Sequence, residues 1–245
     1  MSARRNAFGQ PVGPDLPGWT PRPLPPRTPM VGRTCRLEPL DPGRHADDLF
    51  AAYASAPDTR GWTYLGGEMP ASAAAYRAAL EPAAAGTDPL FFAICDPAGR
   101  ALGLASYLRI DPANGSIEVG HIHLGPALAR TAAATEAMAL MMARAFGLGY
   151  RRYEWKCDSL NAPSRAAALR LGFTFEGIFR NAVVVKGRSR DTAWFSITDT
   201  EWPRVRDALA AWLAPENFLP DGRQRAALSE LRACGVSRDG AGPGT

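Results

Sequence analysis

Long apolar runs are missing from this sequence. No stretch approaches the roughly 20 residues that a membrane-spanning helix needs, and the opening MSARRNAFGQPVGPD has no apolar segment behind its arginines, as a secretory leader would. Both absences predict a cytoplasmic protein with no membrane partner. Histidine is scarce, with three in the chain, and the four cysteines, Cys35, Cys95, Cys157 and Cys234, form no C-x-x-C pair. No zinc site or disulfide framework is suggested, so no metal is expected and the thiols read as reduced structural residues. A basic stripe with interleaved aromatics, the signature of single-strand binders, is also lacking. The net charge of +4 and pI near 9.1 come from arginines mixed with acids throughout, which favours anionic ligands but predicts no nucleic-acid partner.

What is present is an ordinary globular composition, 46% hydrophobic and 21% charged over 245 residues, enough chain to bury a large core. Residues 1–32 alternate proline with polar residues, which forbids helix and central strand. This arm is either disordered or laid over the domain surface with Trp19 as an anchor. Order is expected to begin at RTCRLEPLD, a strand ending at Pro39, followed by helices over 44–53 and about 70–80. PLFFAICD, RALGLASYLRID and GSIEVGHIHL read as three strands separated by the turn signals D-P-A-G and D-P-A-N-G, hence an antiparallel meander.

Next comes a long helix in which Ala134, Met138, Met141 and Ala145 share one face, ended by Gly147 or Gly149. YRRYEWKCD is a strand, LNAPSRAAALRLGF a short helix, and FTFEGIF another strand. NAVVV and TAWFSI, separated by KGRSRD, read as a last hairpin. Helices are expected over 201–213 and 223–233. Helices that cross over between strands require parallel pairs in an otherwise antiparallel sheet, so the fold class is α+β, a three-layer sandwich around a mixed, mostly antiparallel sheet.

The short helix is defined at both ends. Asn161 is a good N-cap, Pro163 fills the first turn, and Gly172 can take the left-handed conformation that ends it. Ser164 and Arg165 then sit at the positive end of a helix that starts right after a strand, where an anionic ligand is stabilised. The long helix begins in the same way at LARTAAATEA, with small side chains that let an anion approach free backbone N–H groups. Either start alone is explained by capping. Two adjacent ones describe an elongated anionic ligand lying across the sheet.

The pieces A-T-E-A, N-x-x-S and R-L-G-F-x-x-E-G, set between Ile117 and Arg180, resemble the core of the GNAT superfamily of acyl-CoA-dependent N-acetyltransferases, and within it the branch of ribosomal-protein N-terminal acetylases. The resemblance divides the chain into a Pro-rich arm over 1–32, an acetyltransferase domain over 33–200 and a C-terminal helical extension over 201–245. It implies transfer of an acetyl group from acetyl-CoA to a primary amine, on a small molecule or a protein N-terminus, and leaves a homodimer open. The family's pyrophosphate loop, Q/R-x-x-G-x-G/A, falls on Ala129, Arg130, Thr131, Ala132, Ala133 and Ala134, and this chain departs from it at Ala129 and Ala132. Contact through backbone N–H groups would tolerate both changes, with Arg130 supplying the missing charge. The implied cofactor contacts are Leu124, Arg130, Thr131, Ala132, Ala133, Ala134, Thr135, Asn161, Ser164 and Arg165.

Amide formation needs a neutral amine, a polarised thioester carbonyl and a proton for the departing thiolate. The resembled family often places its base on the strand IEVGHIHL, which makes Glu118 the first candidate and His121 and His123 the alternatives. In a regular strand both histidines would face away from Glu118, unless Gly120 marks a bulge. A cross-strand salt bridge is the structural alternative for Glu118. The tyrosine that serves some members as general acid is Ala168 here, leaving water or Ser164 for that role. Trp62 and Tyr64, on the loop RGWTYLGG, are candidates for lining the acceptor pocket, together with His123, although local packing would explain them equally. The altered loop and absent tyrosine also allow a different class of function, a catalytically degenerate acyl-CoA-binding or regulatory module.

Overall fold

The computed structural model describes residues 4–234, with the side chain of Cys234 excepted. The part of the expected C-terminal extension beyond residue 234 lies outside the described residues.

Among the described residues, ten strands and six α-helices are formed: β1 Arg4–Arg5, β2 Pro11–Val12, β3 Met30–Val31, β4 Arg36–Pro39, α1 Pro42–Ala54, α2 Ala73–Ala85, β5 Leu90–Cys95, β6 Ala101–Asp111, β7 Ser116–Leu124, α3 Ala132–Gly147, β8 Arg152–Asp158, α4 Ala162–Leu171, β9 Thr174–Val185, β10 Arg188–Thr198, α5 Trp202–Leu213 and α6 Leu228–Cys234. Strands β3 to β10 make one eight-stranded sheet in the order β3-β4-β5-β6-β7-β8-β10-β9. Only β7 and β8 run parallel, because α3 crosses over between them, and every other pair is antiparallel. The expected mixed, mostly antiparallel sheet is the sheet observed. No helix among the described residues is long and apolar enough to cross a membrane.

The two faces of the sheet are covered differently. Tyr107, Ile117, Val119, Tyr153 and Ile197 point to one face and pack with Met141 and Met142 of α3 and Leu209 of α5 in the larger core. On the other face α1 and α2 lay Leu49, Tyr53, Tyr76 and Leu80 over Ala93 and Leu104, covering the half of the sheet built from β4 to β6. The same face of β7 to β10 carries a polar row instead.

Glu136, of the A-T-E-A signature, has a structural task. Its carboxylate accepts the N–H groups of Arg33, Thr34 and Cys35 at 2.8, 2.6 and 3.1 Å and the Thr34 hydroxyl, tying α3 to the turn between β3 and β4. A Cβ on Gly32 would stand 2.6 Å from that carboxyl carbon, so a larger residue there would push the carboxylate off these donors.

Three expectations are corrected. FTFEGIF and NAVVV are one strand, β9, bent by register shifts opposite Arg190/Thr192 and Trp194/Phe195 rather than broken. The last helix starts at Leu228, not Arg223, because Phe218 bridges to Gln224 and Asn217 holds the N–H and C=O of Ala226, which commits that stretch to a turn. The sheet begins at Met30, inside the proline-rich stretch, with β3 as an edge strand where neighbouring prolines are tolerated. Between the short β1–β2 ribbon and β3 the chain lies on the surface: the Trp19 indole donates to the Ala113 carbonyl at 2.9 Å, and Arg144 donates to the carbonyls of Thr28 and Pro29 at 2.6 and 2.7 Å.

Candidate active site

The site is built where the sheet opens. β7 and β8 pair only from Ser116↔Arg152 to Val119↔Trp155, and beyond that point they diverge. The cause lies in β7, where Gly120 pairs with Ser106 and His123 with Leu104, leaving His121 and Ile122 together opposite Ala105. His121 takes a left-handed φ of 50°, the mark of a bulge. A Cβ on Gly120 would lie 2.9 Å from Leu108 Cδ2, so a larger residue there would have to displace the Leu108 side chain. The bulge turns the His121 imidazole to the face that carries Glu118, with Nδ1 2.8 Å from Ser106 Oγ. In an unbulged strand it would face the opposite way.

Two cavities meet at this opening. One, of about 610 Å³, lies against the starts of α3 and α4; the other, of about 300 Å³, lies beneath the loop between α1 and α2. Ile122, Trp155, Asn161 and Ser164 line both, so a ligand in the larger cavity can present its end to the smaller one.

The larger cavity has the chemistry of an anion site. Thr131 caps α3, its Oγ1 accepting from Ala134 N–H at 3.2 Å, while Ala132 and Ala133, which do not themselves line the cavity, have N–H groups with no acceptor among the described residues. Arg130 precedes them at φ 63°, lining the cavity together with Leu124, Thr131, Ala134 and Thr135. On the other wall Asn161 caps α4 by accepting Ser164 N–H at 3.1 Å, and Ser164 Oγ accepts the Trp155 indole N–H at 3.0 Å.

Arg165 does not join this wall. Its guanidinium donates to the Ser159 carbonyl at 3.1 Å and lies over Phe175, outside both cavities. Arg170 takes its place, lining the larger cavity with Nη1 donating to Thr135 Oγ1 at 3.1 Å and its guanidinium over Trp212. Sequence reasoning missed it because Trp212 arrives from α5, far along the chain. Ala168 is fully buried.

In the smaller cavity Glu118 is joined to a buried network. Its Oε2 is 2.8 Å from Lys156 Nζ, which is also 2.7 Å from Glu154 Oε2 and 3.6 Å from the centre of the Trp194 ring. Arg152 extends the network to Glu154 at 2.6 Å and to both oxygens of Glu176. Burial raises the Glu118 pKa above the ordinary carboxylate range, against the pull of Lys156. Glu118 thus makes the salt bridge expected as its structural alternative, and it also lines the cavity. The spacing of Glu154 and Lys156 on YEWKCD, two residues apart on one strand face, is the signal that could have announced this network.

The other candidates separate. Desolvation lowers the His121 pKa, so near neutral pH its ring is an uncharged acceptor. His123 is turned into an aromatic cluster, stacked 3.8 Å from Tyr53 and edge-on to Trp62 at 4.5 Å, where burial drops its pKa to about 4. Trp62 also packs on Tyr76, so Trp62 and His123 hold α1, α2 and β7 together and line neither cavity. Tyr64 does line the smaller cavity, and its hydroxyl donates to the Leu160 carbonyl at 3.1 Å. Cys35, Cys95 and Cys157 are buried free thiols, and burial raises the pKa of each.

Comparison with known proteins matches residues 35–174 to the acetyltransferase (GNAT) domain family. A solved GCN5-related N-acetyltransferase from Brucella melitensis is 52% identical, with a TM-score of 0.87 over 89% of this chain and 100% of that one. A protein described as a probable GNAT-family acetyltransferase from Chromobacterium violaceum ATCC 12472 is 42% identical, with a TM-score of 0.74 over 79% of this chain and 98% of that one. RimL, described as the ribosomal L7/L12 alpha-N-protein acetyltransferase, is 21% identical with a TM-score of 0.56, covering 69% of this chain and 92% of its own, a likeness of fold alone. No curated protein matches the chain.

Proposed function

Because the chain belongs to the GNAT acetyltransferase family, we propose that it transfers the acetyl group of acetyl-CoA directly to a primary amine, with donor and acceptor in the two joined cavities. The observation that carries this reading is the meeting of those cavities at the opening between β7 and β8, with Glu118 on one side and the start of α3 on the other.

Acetyl-CoA brings an activated thioester and a polyanionic handle. Arg130 and Arg170, which line the larger cavity, would hold the phosphates together with the free N–H groups of Ala132 and Ala133 in the first turn of α3, as the residues present fit that charge. Asn161 and Ser164 border the passage through which the acyl end reaches the acceptor. Glu118, directly or through a water, takes the proton from the attacking amine, and the upward shift that burial gives its pKa makes it a stronger base than an exposed carboxylate. His121 is the neutral group on the same face that could share it. The Ser164 hydroxyl, already an acceptor from Trp155, keeps its own proton to donate toward the leaving sulfur. Positioning alone contributes several kcal/mol in such a transfer. Buried thiols of raised pKa do not favour an acyl-enzyme route through Cys157.

The reading is tested by incubating the protein with acetyl-CoA and a pooled library of amines and peptides, followed by mass spectrometry. Acetylated products are expected. A library that comes through unmodified refutes it.

A further inference from the structure

We propose that the smaller cavity takes a small primary amine bearing a carboxylate, and that Arg190 is the residue that binds the carboxylate. This rests on the acetyl-transfer reading and names its substrate class.

Arg190 lies on β10 beside the register shift at Arg190/Thr192 and lines the cavity with Glu118 and Ser164. Its Nε is buried with no hydrogen-bond partner, and its guanidinium joins no ion pair among the described residues. The neighbouring cations differ from it. Lys156 is neutralised by Glu118 and Glu154, and Lys186 by Glu68 at 3.0 Å. Asp158, the other acid lining the cavity, accepts the Leu160 N–H at 2.9 Å. A guanidinium cannot shed its proton, and buried donors are nearly always paired. The cavity therefore holds one unspent cation whose planar fork matches a carboxylate. With the amine at Glu118 and the carboxylate at Arg190, the two charged ends of the acceptor each meet a group of opposite sign.

Size and enclosure favour a small acceptor over a protein surface. The volume of about 300 Å³ is at the lower end for ligand sites. The cavity is also roofed: Lys186, between β9 and β10, donates to the Trp62 carbonyl at 2.7 Å, and Tyr64 reaches Leu160 from the same loop. The first tie draws the β9–β10 hairpin, and the second the link between β8 and α4, to the α1–α2 loop at the mouth.

The test measures kcat/KM with acetyl-CoA for amino acids and ω-amino acids, each paired with its own carboxamide, and for short peptides. The carboxylates are expected to exceed their amides by about 10- to 100-fold, the range for one charged hydrogen-bonded contact. Arg190→Gln should abolish that preference and Arg190→Lys keep part of it, with acetyl-CoA binding confirming that both variants fold. If either variant fails to fold, the preference of the unaltered protein decides alone. Equal rates for acids and amides overturn the carboxylate and leave acetyl transfer standing. A preference for peptide N-termini over free amino acids overturns the small acceptor. Transfer to no amine at all overturns both readings.

Discussion

Lys156 Nζ stands 2.8 Å from Glu118 and 2.7 Å from Glu154, so a single buried ammonium is shared by two carboxylates that are register partners on adjacent parallel strands. Removing the charge of Glu118 leaves Lys156 paired with Glu154, and a glutamine oxygen can still accept from the ammonium. Burial raises the Glu118 pKa, so its ionisation works against folding: this group's contribution is best at low pH and declines as pH rises through its folded pKa. Glu118→Gln is therefore expected to cost less than about 1 kcal/mol of stability at neutral pH. Turnover should fall by about 10²- to 10⁴-fold with acetyl-CoA affinity retained. The pH–rate profile checks the role, because the variant should lose the acidic limb.

Asn161 caps α4, and the proposed transfer gives it a second role at the acetyl-CoA site that substitutions can separate from the first. Asn161→Ala should lose about 1 kcal/mol as the cap of α4 is removed, and should weaken acetyl-CoA binding as well. Asn161→Asp should restore the cap without restoring affinity, since it sets a negative charge beside an anionic ligand. Thermal unfolding and calorimetric titration of the two variants give the comparison.

Arg130 carries both a charge and a left-handed backbone. Arg130→Gly removes the charge while suiting that conformation better, so stability should hold or rise by up to about 1 kcal/mol. Affinity for acetyl-CoA should fall, by about 3- to 10-fold for a partly exposed contact. Binding titrations beside thermal melts measure both.

Glu136 tests the structural half of the motif. Burial pushes its pKa up, but the donors from Thr34, Arg33 and Cys35 outweigh burial and hold it below the ordinary range. A depressed folded pKa means that its stabilisation is full above about pH 4.5 and is lost as pH falls through the folded value. Glu136→Gln is expected to cost about 1–3 kcal/mol at pH 7 and progressively less in acid. Denaturant unfolding across that pH range shows whether the difference closes.

The strands, the crossover helix and the caps of α4 were legible because each depends on neighbours in sequence: alternation for β5 to β8, Asn161 and Gly172 for the ends of α4. What depended on distant chain was not. Arg165 and Arg170 are equally plausible on a helical wheel, and only the arrival of Trp212 selects Arg170. Gly120 points to a bulge, and the residue that adopts the unusual φ is its neighbour His121, which a sequence alone does not show. FTFEGIF and NAVVV read as two strands on either side of Arg180, whereas β10 pairs with both of them and makes them one. KGRSRD holds two arginines, and only the fold shows that Arg190 rather than Arg188 faces the cavity.

The central claim is that two joined cavities carry one direct transfer. It is tested most directly by reacting the protein with acetyl-CoA labelled with carbon-13 in the acetyl group, in the presence of an accepted amine. Free thiol, labelled product and the intact mass of the protein are followed together. The account predicts one thiol released per labelled amide formed, no labelled protein at any time, and loss of both signals in Glu118→Gln. Acetyl-CoA that binds tightly but releases no thiol with any amine would contradict it and identify a binding module instead; label resident on the protein before it reaches the amine would contradict the direct route.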